Sequence, residues 1–210
     1  MKEGSKRGLF ITLEGGEGAG KSSNLSFIQT YLSNKQIELV VTREPGGTPL
    51  AEEIRALLLQ PRDEKMCENT ELLLIFAARA QHIQQVIKPS LQVGQWVLSD
   101  RFTDASFAYQ GGGRQMNLDT LNILETLVQG ELRPDLVILL DVPVEVGMQR
   151  AKKRGLLDRF EQEDLAFFER VRASYLQRAK ANPDTYAIID ASQSLAHVQE
   201  EIVAVLDSLQ

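Results

Sequence analysis

The stretch from Leu9 to Ser23, LFITLEGGEGAGKSS, limits most what this chain can fold into. Leu9-Phe10-Ile11-Thr12-Leu13 is an apolar, partly β-branched run of strand length. Gly15 to Ser22 then satisfy G-x-x-x-x-G-K-[ST] at every fixed position, and Leu25, Ile28 and Leu32 beyond it fall on one helical stripe. A strand, a glycine loop and a helix in that order are the setting in which this motif cradles phosphate. Gly15, Gly16, Gly18 and Gly20, with Glu17 and Ala19 between them, let backbone N–H groups converge on an anion. The positive end of the new helix points at the same place. Lys21 then reaches the β- and γ-phosphates of a nucleotide such as ATP, and the Ser22 hydroxyl is placed to ligate Mg²⁺.

The bulk numbers narrow the class around that loop. At 210 residues and 43% apolar, the chain suits a single domain over 1–210 with a large core. A net charge of −6 argues against non-specific binding to nucleic acid or to an anionic membrane surface. Any positive charge that holds phosphate must therefore be concentrated locally. Cys67 is the single cysteine, so no internal disulfide is possible, which suits a reducing compartment. Two histidines, His82 and His197, with one cysteine cannot form a zinc site of usual composition, and both histidines read as surface or half-buried residues. The first eight residues are polar, and no apolar run approaches the roughly 20 residues of a membrane span. A cytoplasmic enzyme with no nucleic-acid or membrane partner is the expectation.

Four further apolar runs read as strands: Ile37 to Thr42, Trp96 to Asp100, Leu136 to Asp141 and Tyr186 to Asp190. Helical stripes lie between them. One starts near Pro49, with Leu50, Ile54, Leu57 and Leu58 inward, and stops near Pro61. A long one runs from about Thr70 at least to Ile87, and another from Leu118 to Val128. One begins after Pro143, and one spans about Asp164 to Ala181 with Leu165, Phe168, Val171, Tyr175 and Leu176 inward. Ser194 is placed to cap the last, whose stripe is Leu195, Val198, Ile202, Val205 and Leu209. Five apolar strands alternating with helices imply an α/β fold, a parallel sheet covered on both faces with right-handed crossovers. The pattern does not fix strand order.

Several charged residues sit where packing alone does not place them. Arg43 and Glu44 end a strand at the carboxyl edge, where open parallel sheets bind ligands. Arg79 lies three residues after Phe76 and four after Ile75, on the inward stripe of its helix. An arginine there is costly unless paired. Snorkelling, a salt bridge to a core acid and a bound ligand all remain open. Asp100 closes an apolar strand in the form taken by a second Mg²⁺-organising carboxylate in P-loop enzymes. Ser106 to Arg114 contains three consecutive glycines, a poor helix or strand, and is expected to be a loop that bends sharply or lies close to something. Arg150, Lys152, Lys153 and Arg154 before Gly155 are ordinary helix termination. Asp158, Arg159, Glu161 and Glu163 then make a dense charged loop, read as a phosphate-facing lid over about 150–163.

Taken in order, LEGGEGAGKS, TREPGGT, FAAR, DRFTDASFAYQGGGR, RPDLVILLDV and RGLLDRFEQE resemble the bacterial thymidylate kinases over nearly the whole chain. TREPGGT and AYQGGGR are far more specific than the phosphate loop. The resemblance implies a P-loop NTPase fold with a five-stranded parallel sheet, transfer of phosphate from ATP to dTMP with Mg²⁺, and a homodimer. It places Glu17 near the sugar 3′-hydroxyl of dTMP. Glu44, Arg55 and Arg101 fall about the monophosphate and the metal, with Arg101 as the main clamp. Asp100 orders Mg²⁺, with Ser22 and Glu44 as its other ligands. Arg79, Ser106 and Gln110 meet the thymine edge, and Tyr109 closes over the deoxyribose. The family's base-stacking aromatic often lies four residues before the thymine arginine. That slot is Ile75 here, and Phe76 one position later is the residue expected to serve. One branch of the family carries an arginine in the phosphate loop after its acid. Gly18 occupies that slot, so this chain resembles the branch whose arginines come from the lid, with Arg154 and Arg159 as in-cis fingers and Asp158 orienting its neighbour. Two other readings compete: a kinase of another small anion on the same core, and a nucleotide-dependent switch. A switch usually carries a guanine-reading N-K-x-D, which is absent. Arg43, Arg55, Arg79, Arg101 and the lid supply the arginines that a kinase of small anions needs.

Overall fold

The computed structural model describes residues 7–154 and 159–209, apart from the side chain of Arg154. Strands β1 (Phe10–Glu14), β2 (Leu39–Arg43), β3 (Trp96–Asp100), β4 (Leu136–Asp141) and β5 (Tyr186–Asp190) form one sheet in the order β2-β3-β1-β4-β5. Every pairing is parallel. Register brings Leu13 and Arg43 opposite Asp100. The ends of β1, β2 and β3 thus meet at one carboxyl edge, with β1 flanked by its crossover partners β3 and β4. This is where open α/β sheets place ligands.

Alternation along the strands divides the core. Ile11, Leu13, Leu98, Ile138 and Leu140 pack against Ile28 and Leu32 of α1 (Lys21–Asn34) and Val198, Ile202 and Leu206 of α9 (Leu195–Asp207). Phe10 and Val97 meet Ile83, Ile87 and Leu91. Leu139 meets Phe167, Phe168, Val171 and Tyr175 of α8 (Leu165–Ala181). The remaining helices are α2 (Pro49–Leu59), α3 (Glu68–His82), α4 (Lys88–Gln92), α5 (Thr103–Ser106), α6 (Leu118–Gln129) and α7 (Val144–Arg154).

Three expectations need correcting, and a fourth, the helix from about Thr70 at least to Ile87, is present. It begins at Glu68, passes through a π-helical turn at Ile83–Ile87 and continues to Gln92. The glycine-rich stretch is helical too, as α5 followed by a π-helical segment, Phe107–Gly113. Tertiary approach outweighs local propensity there. A Cβ on Gly113 would lie 2.4 Å from the Phe167 ring, and one on Gly112 would lie 2.8 Å from Ser174 Cβ. The expectation of close approach holds and that of a loop does not. His82 is fully buried, because Thr42 and Glu44 take both ring nitrogens. Finally, Leu50, Leu57, Leu165 and Leu195 are exposed, while Leu58 carries the packing of α2.

Candidate active site

Gly15, Gly18 and Gly20 of the phosphate loop all have positive φ, at 141°, 68° and 86°. Gly18 is needed for a second reason. A Cβ there would lie 1.9 Å from the Gly147 carbonyl oxygen, and a Cβ on Gly147 would lie 2.3 Å from that of Glu17. The loop therefore rests backbone to backbone on α7, which accounts for glycine at position 18. Lys21 Nζ spans the loop, donating to the carbonyls of Gly15 (3.0 Å) and Gly16 (2.8 Å). Burial, joined by the charge of Arg101, lowers its pKa against the pull of Glu17 and Asp100.

Arg101 follows β3 with φ 68°. Its Nη1 donates to Gly15 O (3.0 Å) and Tyr175 Oη (3.1 Å), and its Nη2 to Glu17 Oε1 (2.8 Å) and Tyr109 Oη (3.0 Å). Tyr109 in turn donates to Glu17 Oε1 at 2.6 Å. Beneath them Glu14, the last residue of β1, is fully buried. It accepts from Phe102 N at 2.7 Å and Tyr175 Oη at 2.9 Å. Burial, with Asp104 adding to it, raises the Glu14 pKa to about 8.

The opposite wall is built from Arg79, which is 2% exposed. Its Nε donates to Glu44 Oε2 (2.7 Å), and its Nη2 to Ser106 Oγ (2.9 Å) and Phe102 O (3.1 Å). Its Nη1 is buried with no partner among the described residues. His82 Nδ1 meets the other oxygen of Glu44 at 2.9 Å. Burial alone would push Glu44 up, but the charge of Arg79 and the bond to His82 hold it below the usual carboxylate range.

Between the two walls lies a cleft of about 540 Å³, lined by Glu17 to Ser23, Glu44, Arg55, Ile75, Arg79, Asp100, Arg101, Ser106, Tyr109 and Gln110. Arg55 reaches it from α2 and donates to Pro45 O at 2.9 Å. Asp100 Oδ1 is buried with no protein partner among the described residues, and Ser22 lines the same cleft. No cluster of three metal-ligating side chains occurs among the described residues. One carboxylate and one hydroxyl suit Mg²⁺, which keeps several waters and takes other ligands from phosphates.

Several expected site residues are placed differently. Phe76 does not line the cleft. Its ring packs with Leu72, Phe107 and Leu121, 4.6 Å beneath the Arg79 guanidinium, and Ile75 faces the cleft instead. Glu44 lines the cleft, but both its oxygens are taken by Arg79 and His82, so it serves the arginine rather than a metal. Arg43 pairs with Glu52 at 2.8 Å on the surface, away from the cleft. Arg159 is not aimed at the phosphate loop. Its Nε donates to Leu58 O (2.8 Å), and its Nη1 pairs with the buried Glu71 at 2.7 Å. The Arg154 side chain and Asp158 lie outside the described residues. Gly15 and Gly16 contribute the carbonyls that hold Lys21.

Glu14, Tyr175 and Glu71 support the site from behind, through Arg101 and Gln110; the sequence places Tyr175 on a core stripe and singles out neither glutamate. Glu71 did carry a signal: with Ile75 and Arg79 it repeats every four residues on one face of α3.

The thymidylate kinase family model matches residues 13–202. Similar curated proteins include the thymidylate kinases of Ectopseudomonas mendocina (strain ymp), 61% identical, and Pseudomonas entomophila (strain L48), 60% identical, each over 202 residues and 96% of both chains. The crystal structure of thymidylate kinase from Ehrlichia chaffeensis at 2.15 Å resolution superposes with a TM-score of 0.78 at 32% identity, over 96% of this chain and 99% of that one. The match spans both walls of the cleft and the phosphate loop between them, and the chain belongs to the thymidylate kinase family.

Proposed function

We propose that this cleft transfers the γ-phosphoryl group of ATP to dTMP, giving dTDP and ADP, with Mg²⁺ and in the cytoplasm. The observation that carries the reading is Arg79, a buried arginine whose Nη1 has no acceptor among the described residues, at a cleft that also holds the phosphate loop. An exocyclic carbonyl on a pyrimidine completes its hydrogen bonding. Ser106 and Gln110 border the same edge, Tyr109 covers the sugar, and Glu17 faces its hydroxyl. Arg101 and Arg55 hold the monophosphate. The loop amides and Lys21 hold the β- and γ-phosphates of ATP.

The reaction needs no covalent enzyme intermediate. An oxygen of the dTMP phosphate is already an anion and attacks the γ-phosphorus in line, while the β–γ bridging oxygen leaves with ADP. Catalysis is then alignment plus stabilisation of charge that develops on the transferred group. Mg²⁺ held through Ser22 and Asp100 would neutralise part of that charge on the phosphate oxygens. By the resemblance to the family Arg154 would be the lid arginine that adds to it, and Arg159 pairs with Glu71. A homodimer is supported by α2, α3 and α6, which pack in series and leave Leu50, Leu57, Leu73, Ile123 and Leu127 exposed.

A coupled ADP-release assay over dTMP, dUMP, UMP, CMP and AMP with Mg·ATP tests the substrate, and dTMP should give the highest kcat/KM. Arg79→Ala should raise KM for dTMP by more than about tenfold and leave KM for ATP within about twofold, as loss of a buried polar contact does. An equal rise in both would make Arg79 a structural residue and remove the main support for the base assignment.

A further inference from the structure

Glu71, on α3 two turns before Arg79, is 1% exposed. Its Oε1 accepts from Gln110 Nε2 at 2.9 Å, and its Oε2 from Arg159 Nη1 at 2.7 Å. Arg114 completes the set with donors at 3.4 Å to each oxygen. The two guanidiniums balance a charge that would otherwise be costly to bury. An ionised carboxylate only accepts hydrogen bonds, and a glutamine amide has one end that donates and one that accepts. Gln110 must therefore turn its NH₂ to Glu71. Its Oε1 accepts from no protein donor among the described residues, and because Gln110 lines the cleft that oxygen is available to a ligand there.

We propose that Glu71 is a positioning residue that sets the base specificity of the site by fixing the polarity of the Gln110 amide. An acceptor facing the cleft suits a pyrimidine whose ring nitrogen carries a hydrogen, as N3 of thymine and uracil does. It opposes one whose N3 is a lone pair, as in cytosine. A hydrogen-bonding site of this kind rejects a mismatched partner strongly because its own buried group is left unpaired. The inference rests on the proposal that Gln110 meets the pyrimidine edge.

Its test is kcat/KM for dTMP, dUMP and dCMP with the parent, Glu71→Gln, Gln110→Ala and the double variant. Glu71→Gln can itself donate or accept, so the Gln110 amide is free to turn. The dTMP:dCMP ratio should fall by about tenfold or more. The dTMP:dUMP ratio should stay within about twofold, since both bases carry the N3 hydrogen. In the Gln110→Ala background, Glu71→Gln should change the dTMP:dCMP ratio no further. If Gln110→Ala lowers that ratio and Glu71→Gln does not, the role of Glu71 is overturned and that of Gln110 stands. If Gln110→Ala leaves it unchanged, Gln110 does not read the base at all. A parallel shift of both ratios in Glu71→Gln would show general disturbance and also overturn the proposal. Should Glu71→Gln fail to fold, Glu71→Asp keeps the charge and withdraws it from Gln110. The same fall in dTMP:dCMP is expected, and an unchanged ratio overturns the proposal.

Discussion

Arg101 is held at both ends by Glu14. Phe102 N anchors its backbone from the next residue, and Tyr175 carries the restraint to its guanidinium. Fixing the proposed phosphate clamp in advance lowers the ordering cost of binding. The arrangement has a pH signature. Folding raises the Glu14 pKa from the usual 4.5 to about 8, chiefly by burial. Between those values the folded protein binds a proton that the unfolded chain has released, so stability falls as pH rises through the window and levels off above about 8. The Tm of the unliganded protein should therefore decline from about pH 5 to pH 8.5, and Glu14→Gln should flatten that decline. Parallel curves for parent and variant would assign the slope to other groups. Lys21, whose pKa is lowered, works in the opposite sense at higher pH.

At the scale of elements, the π-helical segment Phe107–Gly113 carries Tyr109 and Gln110 and is braced by α8. Arg170 donates to Gly113 O at 3.0 Å, and Ser174 to Phe107 O at 3.1 Å. Gly113→Ala would drive a methyl group to within 2.4 Å of the Phe167 ring. Overpacking of this kind costs about 1–3 kcal/mol, to be read as a lower urea midpoint. Because the shift is transmitted to Tyr109 and Gln110, KM for dTMP should rise as well, with KM for ATP little changed. A variant as stable as the parent would mean that α8 yields without strain. The same segment marks what the sequence made legible. β3, β4 and β5 begin and end where their apolar runs do; in β3 and β4 burial on both faces leaves a continuous signal, whereas β5 is an edge strand with Ile188 exposed. The glycines advertised a close approach, but whether a helix or a loop makes it depends on α8, some 60 residues away. The phosphate loop, Arg79 and Asp100 were legible because motif and stripe are local patterns. Phe76 and Arg159 were not. A one-position shift turned the first into the core, and the second found Glu71 through a tertiary contact that no spacing encodes.

Across the whole molecule, α3 joins the site to the surface. Its inward face carries Glu71 and Arg79, and Leu73 on the same helix is 58% exposed. On α6, which packs against α3, Ile123 is 67% and Leu127 77% exposed. Single exposed apolar residues are ordinary on a monomer, but several on adjacent helices mark a surface to be covered. A second copy placing the same helices against these buries like against like, as a two-fold interface does. Ile123→Glu with Leu127→Glu should then convert a dimer to a monomer in sedimentation equilibrium at micromolar protein. Because α3 would lose its support from outside, the monomer should bind dTMP more weakly by several-fold, with ATP affinity nearly unchanged, since the phosphate loop is held by β1 and α7 instead. A parent that sediments as a monomer, or a double variant that remains a dimer, would place the interface elsewhere or nowhere. A monomeric variant with unaltered dTMP affinity would show that α3 holds Arg79 and Glu71 by its inward packing alone.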